Sequence, residues 1–275
     1  MNVLVTGGSG YFGSVLVEKL VQRGYKTIVL DLEQANNRNV ILIKGDLRDP
    51  NTLRKAFENE LDAVIHLAAV VGDAACNKEP QRAVETNYLG TKRLTEICQE
   101  HRIEKAIYAS TCSVYGVKPD IVCDENTPAE PFSLYGITKL AGEQEFLKLQ
   151  NATVMRMGTL FGVSPRMRFD LVVNEFIRRA KTEGKITVFG GGQVRPFLHV
   201  QDAAEVYLKT VEKEANGIFN LACENLTIRK LAEIIAEKTG CEVDILSQIT
   251  DKRSYRVSWE KAKSHLNFTP KRMID

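Results

Sequence analysis

Apolar and polar positions fall in blocks whose period changes from segment to segment along the chain. Val3–Val5 is a short continuous apolar run, followed by Val15, Leu16, Val17, Leu20 and Val21 at helical spacing. Short apolar runs at Thr27 to Leu30, Val40 to Ile43, Ala63 to His66, Lys105 to Ser110 and Thr153 to Arg156 predict further strands. Helical patterns over about 50–59, 80–101 and 133–150 lie between them. Strand and helix in turn demand right-handed crossovers, hence an α/β fold with a doubly wound parallel sheet. After residue 160 the pattern loosens into an Arg- and Pro-bearing loop, a helix near 169–183, a glycine run at 190–192 and helices near 201–214 and 227–239. The expected division is a sheet domain over 1–160, with later crossings back to the sheet near 186–223. Residues 161–275 are expected to supply mainly a smaller C-terminal substrate-binding lobe over the strand ends, where open α/β sheets hold ligands.

The turn between the first strand and first helix narrows the chemistry. Gly7, Gly10 and Gly13 form a G-x-x-G-x-x-G spacing, and the second strand ends in Asp31. Glycines let a backbone approach a pyrophosphate, and a helix N-terminus offers unpaired N–H groups and a partial positive charge. Asp31 can accept hydrogen bonds from ribose hydroxyls and would repel a 2′-phosphate. A Rossmann-type domain binding NAD rather than NADP is the expectation.

Composition removes other classes. A net charge of +2 with 26% charged residues gives no electrostatic case for nucleic acid. No apolar run approaches the roughly 18 to 20 residues that span a bilayer, so no membrane partner is expected. Met1-Asn2-Val3 runs straight into the first strand, which leaves no room for a signal peptide and points to the cytoplasm. Cys76, Cys98, Cys112, Cys123, Cys223 and Cys241 show no C-x-x-C pair and no zinc-like spacing, so reduced thiols and no metal are expected.

Tyr135 and Lys139 stand four apart on one face of a predicted helix. A neighbouring ammonium favours a phenolate, and a phenolate can act as general base toward a sugar hydroxyl. Tyr88 and Lys92 repeat the spacing, but the strand before them ends in His66-Leu67-Ala68-Ala69, without a hydroxyl. The strand before Tyr135 ends in Ser110-Thr111-Cys112-Ser113, which places hydroxyls at a strand C-terminus. Tyr135 is therefore the expected base and Tyr88 a packing residue.

Over nearly its whole length the chain resembles the extended short-chain dehydrogenase/reductase family, and within it the nucleotide-sugar epimerases and dehydratases. The resemblance rests on Thr6 to Gly13, Gly45-Asp46-Leu47, His66 to Ala69, Asn87, Ser113-Val114-Tyr115-Gly116, Tyr135-x-x-x-Lys139 and Gly191 to Asp202. It implies that Gly7, Gly10, Tyr11, Phe12, Gly13, Asp31, Asp46, Leu47, Leu67, Ala68, Ala69 and Asn87 bind or support NAD. It makes Thr111, Tyr135 and Lys139 catalytic, with Lys139 holding the nicotinamide ribose. It assigns Thr111, Ser113, Thr159, Asn174, Arg195 and Arg253 to a nucleotide-diphosphate sugar, the two arginines suiting phosphate by their forked geometry. Related dehydratases carry Asp-Glu after the catalytic Thr, where this chain has Cys112 and Ser113. Neither replaces a carboxyl as general acid, which favours 4-epimerisation through a transient 4-keto sugar. Ser164 to Asp170 resembles a subgroup that includes nucleotide-heptose 4-dehydrogenases, so a 4-dehydrogenase or 4-ketoreductase is the alternative. The resemblance also implies a homodimer built on the helices over about 80–101 and 133–150, with Val84, Tyr88, Leu94, Ile97, Leu140, Phe146 and Leu147 as candidate apolar contacts.

Overall fold

The computed structural model describes residues 1–213, 215–248 and 251–274. In chain order its strands are β1 (Asn2–Thr6), β2 (Lys26–Asp31), β3 (Ile41–Lys44), β4 (Ala63–His66), β5 (Lys105–Thr111), β6 (Val117–Cys123) and β7 (Ala152–Met157). β8 (Thr159–Phe161), β9 (Lys185–Phe189), β10 (Val194–His199), β11 (Gly217–Leu221), β12 (Glu224–Thr227), β13 (Glu242–Leu246) and β14 (Ser254–Val257) follow. The first helices are α1 (Tyr11–Gln22), α2 (Pro50–Phe57), α3 (Asp73–Lys78), α4 (Pro80–Val84) and α5 (Thr91–Glu100). α6 (Leu134–Phe146), α7 (Val172–Glu183), α8 (Val200–Glu212), α9 (Ile228–Thr239) and α10 (Glu260–Leu266) complete them.

Seven parallel strands form the central sheet in the order β11-β7-β5-β4-β1-β2-β3. Val3, Leu4, Val5, Val64 and Ile65 are wholly buried, as expected of strands covered by helices on both faces. The chain leaves β1 toward β3 on one side and returns to β4 on the other. The strand order therefore reverses between β1 and β4, which opens a crevice at their C-terminal ends.

The predicted helix over 80–101 is broken. A π-helical turn, Glu85–Gly90, separates α4 from α5, and α3 precedes both. Of the range 186–223 expected to cross back to the sheet, only β11 joins it. β9 pairs with β13, and β10 lies between β8 and β12. β9 buries Ile186 and Val188 but exposes Lys185 and Phe189, so it has one covered face and belongs at a small sheet. β6, exposed apart from Cys123 and half-buried Lys118, gave no strand pattern, yet it pairs in parallel with β14.

The C-terminal half serves two cores. Phe161, Val173, Phe176, Ile186, Val188, Leu231 and Ile235 form the core of the small lobe. Ala203, Val206 and Tyr207 of α8, with Ala262 and Leu266 of α10, pack instead into the core beneath the central sheet with Phe12 and Leu16 of α1. Residues after 160 are thus divided between the lobe and the sheet domain.

Candidate active site

Gly7 has φ +73°, and a Cβ there would lie 2.6 Å from the Ala68 nitrogen. A Cβ on Gly13 would fall 2.2 Å from the Gly7 carbonyl. These two glycines let β1, the start of α1 and the end of β4 converge. Gly10 precedes α1 without a side-chain cap, which leaves first-turn N–H groups available to an anion. The Ser9 nitrogen donates to Asp31 Oδ2 at 2.9 Å and the Glu33 nitrogen to Oδ1 at 3.0 Å, which fixes the carboxylate at the end of β2. Asp46 is gripped by Arg48 (Nη2 to Oδ2, 2.7 Å), and this hydrogen bonding holds its carboxyl below the ordinary range. Thr6 Oγ1 and His66 Nδ1 stand 2.6 Å apart and the Ala68 nitrogen donates to the same hydroxyl, so the floor between β1 and β4 is rigidly set.

A cleft of about 1180 Å³ runs over these strand ends. Gly7, Gly10, Tyr11, Phe12, Gly13, Asp31, Asp46 and Leu47 line one end, and Leu67, Ala68 and Ala69 its floor. Thr111, Ser113, Tyr135 and Lys139 follow, then Thr159, Arg195 and Arg253. The volume exceeds the roughly 300–1,000 Å³ of a single small-ligand pocket, as a site for a dinucleotide plus a second ligand requires.

Ser133 caps α6 by accepting from the Gly136 nitrogen at 3.2 Å, placing Tyr135 in the first turn and Lys139 one turn on. Thr111 ends β5, accepts from the Ser113 nitrogen at 3.1 Å and hydrogen-bonds the Tyr135 side chain. The expected phenolate is not favoured by the chain alone. Burial pushes the Tyr135 phenol well up, helped by Cys76 and Asp73, against the opposing Arg168 guanidinium and Thr111 bond. Lys139 is 2% exposed, with Nζ 4.1 Å from the centroid of the Tyr108 ring, a contact that supports its ammonium. Burial brings Lys139 down to about 7, although Glu143 and Cys76 oppose this.

That depression has a measurable consequence. The folded chain binds fewer protons than the unfolded chain between about 7 and the ordinary 10.5, so the cost of burying Lys139 is full below pH 7 and gone above 10.5. Lys139→Met is expected to raise the melting temperature of NAD-stripped protein at acidic pH, with the gain shrinking as pH rises. A gain independent of pH would show that Lys139 is not desolvated.

Two expected contacts are relocated. Asn87, fully buried in the π-helical turn, does not line the cleft. Its Oδ1 accepts from the Val70 nitrogen at 2.7 Å, while Nδ2 donates to the Val70 carbonyl at 2.9 Å and to Thr138 at 3.1 Å. Asn87 therefore ties the loop following β4 to the catalytic helix, because the wider π turn aims its amide at the backbone. Asn174 does not line the cleft either. It donates to the Arg168 carbonyl at 2.9 Å and to the Tyr11 hydroxyl at 3.3 Å, holding the loop after β8 against the start of α1. Tyr88 lies in the π turn, half-buried and outside the cleft lining.

Arg195 is 5% exposed and pairs with Asp251 at 2.6 Å. Arg253 pairs with Asp251 at 2.7 Å and with Asp73 at 2.9 Å. Burial opposes the Asp251 charge, but the two arginines overrule it and hold the carboxyl well below its usual range. Tyr255 completes this wall, its ring 5.4 Å from the Arg195 guanidinium and its hydroxyl 3.1 Å from Ser113 Oγ. Asp73, Arg168, Asp251 and Tyr255 escaped the sequence reading. The alternation Asp251-x-Arg253-x-Tyr255 was the available sign of residues on one side of an extended segment. Cys112 is buried and donates to the Arg156 carbonyl at 3.1 Å, and burial pushes its thiol well up. Positions 112 and 113 thus offer no acid.

Among the described residues no group of three or more His, Cys, Asp or Glu is placed to hold a metal, and no helix is long and apolar enough to cross a membrane.

Comparison with known proteins agrees with this geometry. A UDP-glucose 4-epimerase of Halalkalibacterium halodurans is 30% identical over 98% of this chain and 91% of its own length. The solved UDP-glucose 4-epimerase of Thermus thermophilus, a complex with NAD, superposes with a TM-score of 0.87 at 30% identity, covering 98% of this chain and 94% of that one. The human dTDP-D-glucose 4,6-dehydratase is also 30% identical, over 80% of this chain and 68% of its own length. Equal identity to an epimerase and a dehydratase means that overall likeness does not choose the reaction. The close approach at Gly7 and Gly13, the open first turn of α1 and the fixed Asp31 carboxylate suit a dinucleotide. The family model for the NAD dependent epimerase/dehydratase family matches residues 3–222, and the chain belongs to that family of NAD-dependent enzymes.

Proposed function

We propose that this enzyme epimerises a nucleotide-activated hexose at C4 through a transient ketone. The observation that carries the reading is the wall around Tyr135: a hydroxyl at Thr111, a lysine at 139, and a buried thiol and a bonded hydroxyl where a dehydratase needs carboxyls. Bound NAD would supply the hydride acceptor and donor of the reaction. The positive charge of bound NAD would favour the Tyr135 phenolate that the chain alone does not, and as a phenolate Tyr135 Oη would take the proton of the 4-hydroxyl while Thr111 Oγ1 orients that hydroxyl. Lys139 holds the nicotinamide ribose and steadies the charge. Arg195 and Arg253 take the diphosphate of the nucleotide, and Ser113 and Thr159 bound the sugar. The cleft would leave the ketone room to turn over beside the bound cofactor, so that hydride returned to its other face would invert the centre. Purified protein is expected to release NAD(H) on denaturation and to convert a UDP-, GDP- or dTDP-hexose to its 4-epimer without added cofactor. Inactivity across that panel would sink the reading.

A second reading stops at the ketone. Its support is the likeness of the loop from Ser164 to Asp170 to a subgroup that holds nucleotide-heptose 4-dehydrogenases alongside epimerases; Ser164 Oγ donates to the Tyr11 carbonyl at 2.6 Å and so holds this loop against α1. A nucleotide-sugar 4-dehydrogenase would accumulate a stable ketone and would need its NADH reoxidised.

We further propose a cytoplasmic homodimer joined along α4, the π turn, α5 and α6. Val84, Leu89, Ile137 and Leu147 are each more than a third exposed on these elements, whereas Leu94 and Phe146 are spent in the core. Sedimentation at micromolar concentration is expected to give the dimer mass, and a monomer would refute it.

A further inference from the structure

Asp73 opens α3, directly after Gly72, whose φ of +90° turns the chain sharply away from the floor of the cleft. One carboxylate oxygen, Oδ2, pairs with Arg253 Nη1 at 2.9 Å. The other, Oδ1, is buried and receives no hydrogen bond. A charged acceptor withdrawn from water without a donor is costly, and sites that recognise polar ligands leave such groups waiting for the ligand's own donors. The oxygen is not spent on the helix either, since α3 has no side-chain cap. Asp73 lines the same cleft as Tyr135, and its charge is felt there, helping to push the Tyr135 phenol up. It therefore stands between the arginines that would take a diphosphate and the group that would take a proton. A hexosyl unit attached to that diphosphate passes between the same two points.

We infer that Asp73 is a substrate-binding residue that accepts a hydrogen bond from a hydroxyl of the sugar through Oδ1 while Oδ2 positions Arg253. The inference rests on the nucleotide-sugar reading above and adds to it a specificity contact. Asp73 and Asp251 also balance Arg195 and Arg253 charge for charge, so the phosphate wall is formally neutral before the ligand arrives. Removing Asp73 then has opposite effects on the two parts of the substrate. The nucleoside diphosphate gains a less encumbered Arg253, and the sugar loses its acceptor.

The test is calorimetric titration of NAD-loaded wild type, Asp73→Ala and Asp73→Asn with UDP and with UDP-glucose, together with kcat/KM for the UDP-hexose. For Asp73→Ala, UDP is expected to bind as tightly as to wild type or more tightly. The ratio of UDP-glucose to UDP affinity, and kcat/KM, should fall by about ten- to hundredfold, the scale of a hydrogen bond to a charged group. Asp73→Asn, which keeps an acceptor oxygen without the charge, should fall between. Retained NAD reports that each variant is folded. Equal loss of UDP and UDP-glucose affinity would reduce Asp73 to a counter-ion of Arg253 and overturn the inference, as would an unchanged affinity ratio. Where wild type binds GDP or dTDP rather than UDP, the same titrations are run with that nucleotide and its hexose; failure of wild type to bind any of the three or to turn over any of their hexoses would instead overturn the nucleotide-sugar reading, and the inference with it.

Discussion

Tyr135→Phe is expected to lower turnover by about 10²-fold or more, the usual scale for a positioned general base, while the purified protein keeps its NAD. Phenylalanine preserves the ring that fills the start of α6 and removes only the hydroxyl that Thr111 bonds. Ground-state packing and the glycine turn are untouched, so the loss belongs in kcat rather than in cofactor retention. Thr111→Ala should also slow turnover without releasing NAD, because only the substrate hydroxyl and Tyr135 lose a partner. Tyr88→Phe should leave the kinetics nearly unchanged, since Tyr88 sits outside the cleft. Steady-state kinetics and the NAD content of each purified variant check all three. An inactive Tyr88→Phe beside an active Tyr135→Phe would move the active site elsewhere.

The largest stability effect is expected at Glu143→Leu. Glu143 is 1% exposed and receives Arg156 Nε at 3.0 Å and Nη2 at 2.8 Å, with the Ser110 hydroxyl as a third donor. Arg156, itself 4% exposed, also donates through Nη1 to the Tyr115 hydroxyl at 3.1 Å. Removing Glu143 leaves the guanidinium buried and unpaired, which costs about 3–5 kcal/mol. Urea unfolding of the single variant should show that loss, and the double variant Glu143→Leu/Arg156→Met should recover much of it, because the desolvation cost leaves with the charge. A double variant as unstable as the single one would mean that shape, not charge, sets the effect. Glu143 also lies one turn beyond Lys139 on α6 and supports its charge, so the pair links the core of the sheet to the catalytic helix.

The parts legible in the sequence are those fixed by local sterics or by the end of an element. Gly7 and Gly13 could be read because a close backbone approach excludes every other residue. Asp31, Thr111 and Tyr135 could be read because each stands at the end of a strand or in the first turn of a helix, where a parallel sheet presents its ligands. Six of the seven central strands were legible as short apolar runs and β11 only as a crossing somewhere near 186–223, whereas β6 was not, because its exposed residues carry no apolar period. Asn87 and Asn174 were placed by type but not by partner, since a π turn and a loop decide where their amides point. The electrostatics were least legible. Spacing alone put an ammonium beside a phenol, but the dryness of the site pushes the Tyr135 phenol up where a fall was expected and brings Lys139 down. The Asp73–Arg253–Asp251–Arg195 chain joins residues far apart in sequence, and only the folded lobe brings them together.

The central claim is a hydride taken from C4 and returned to the same carbon. Its most direct test is to incubate the purified protein, without added cofactor, with a nucleotide hexose carrying deuterium at C4, and to follow product by NMR and mass spectrometry. The account predicts the 4-epimer with deuterium retained at C4 and no net accumulation of NADH. A stable 4-ketone with reduced cofactor, a product that has lost water, or an epimer whose deuterium has washed out to solvent would contradict it.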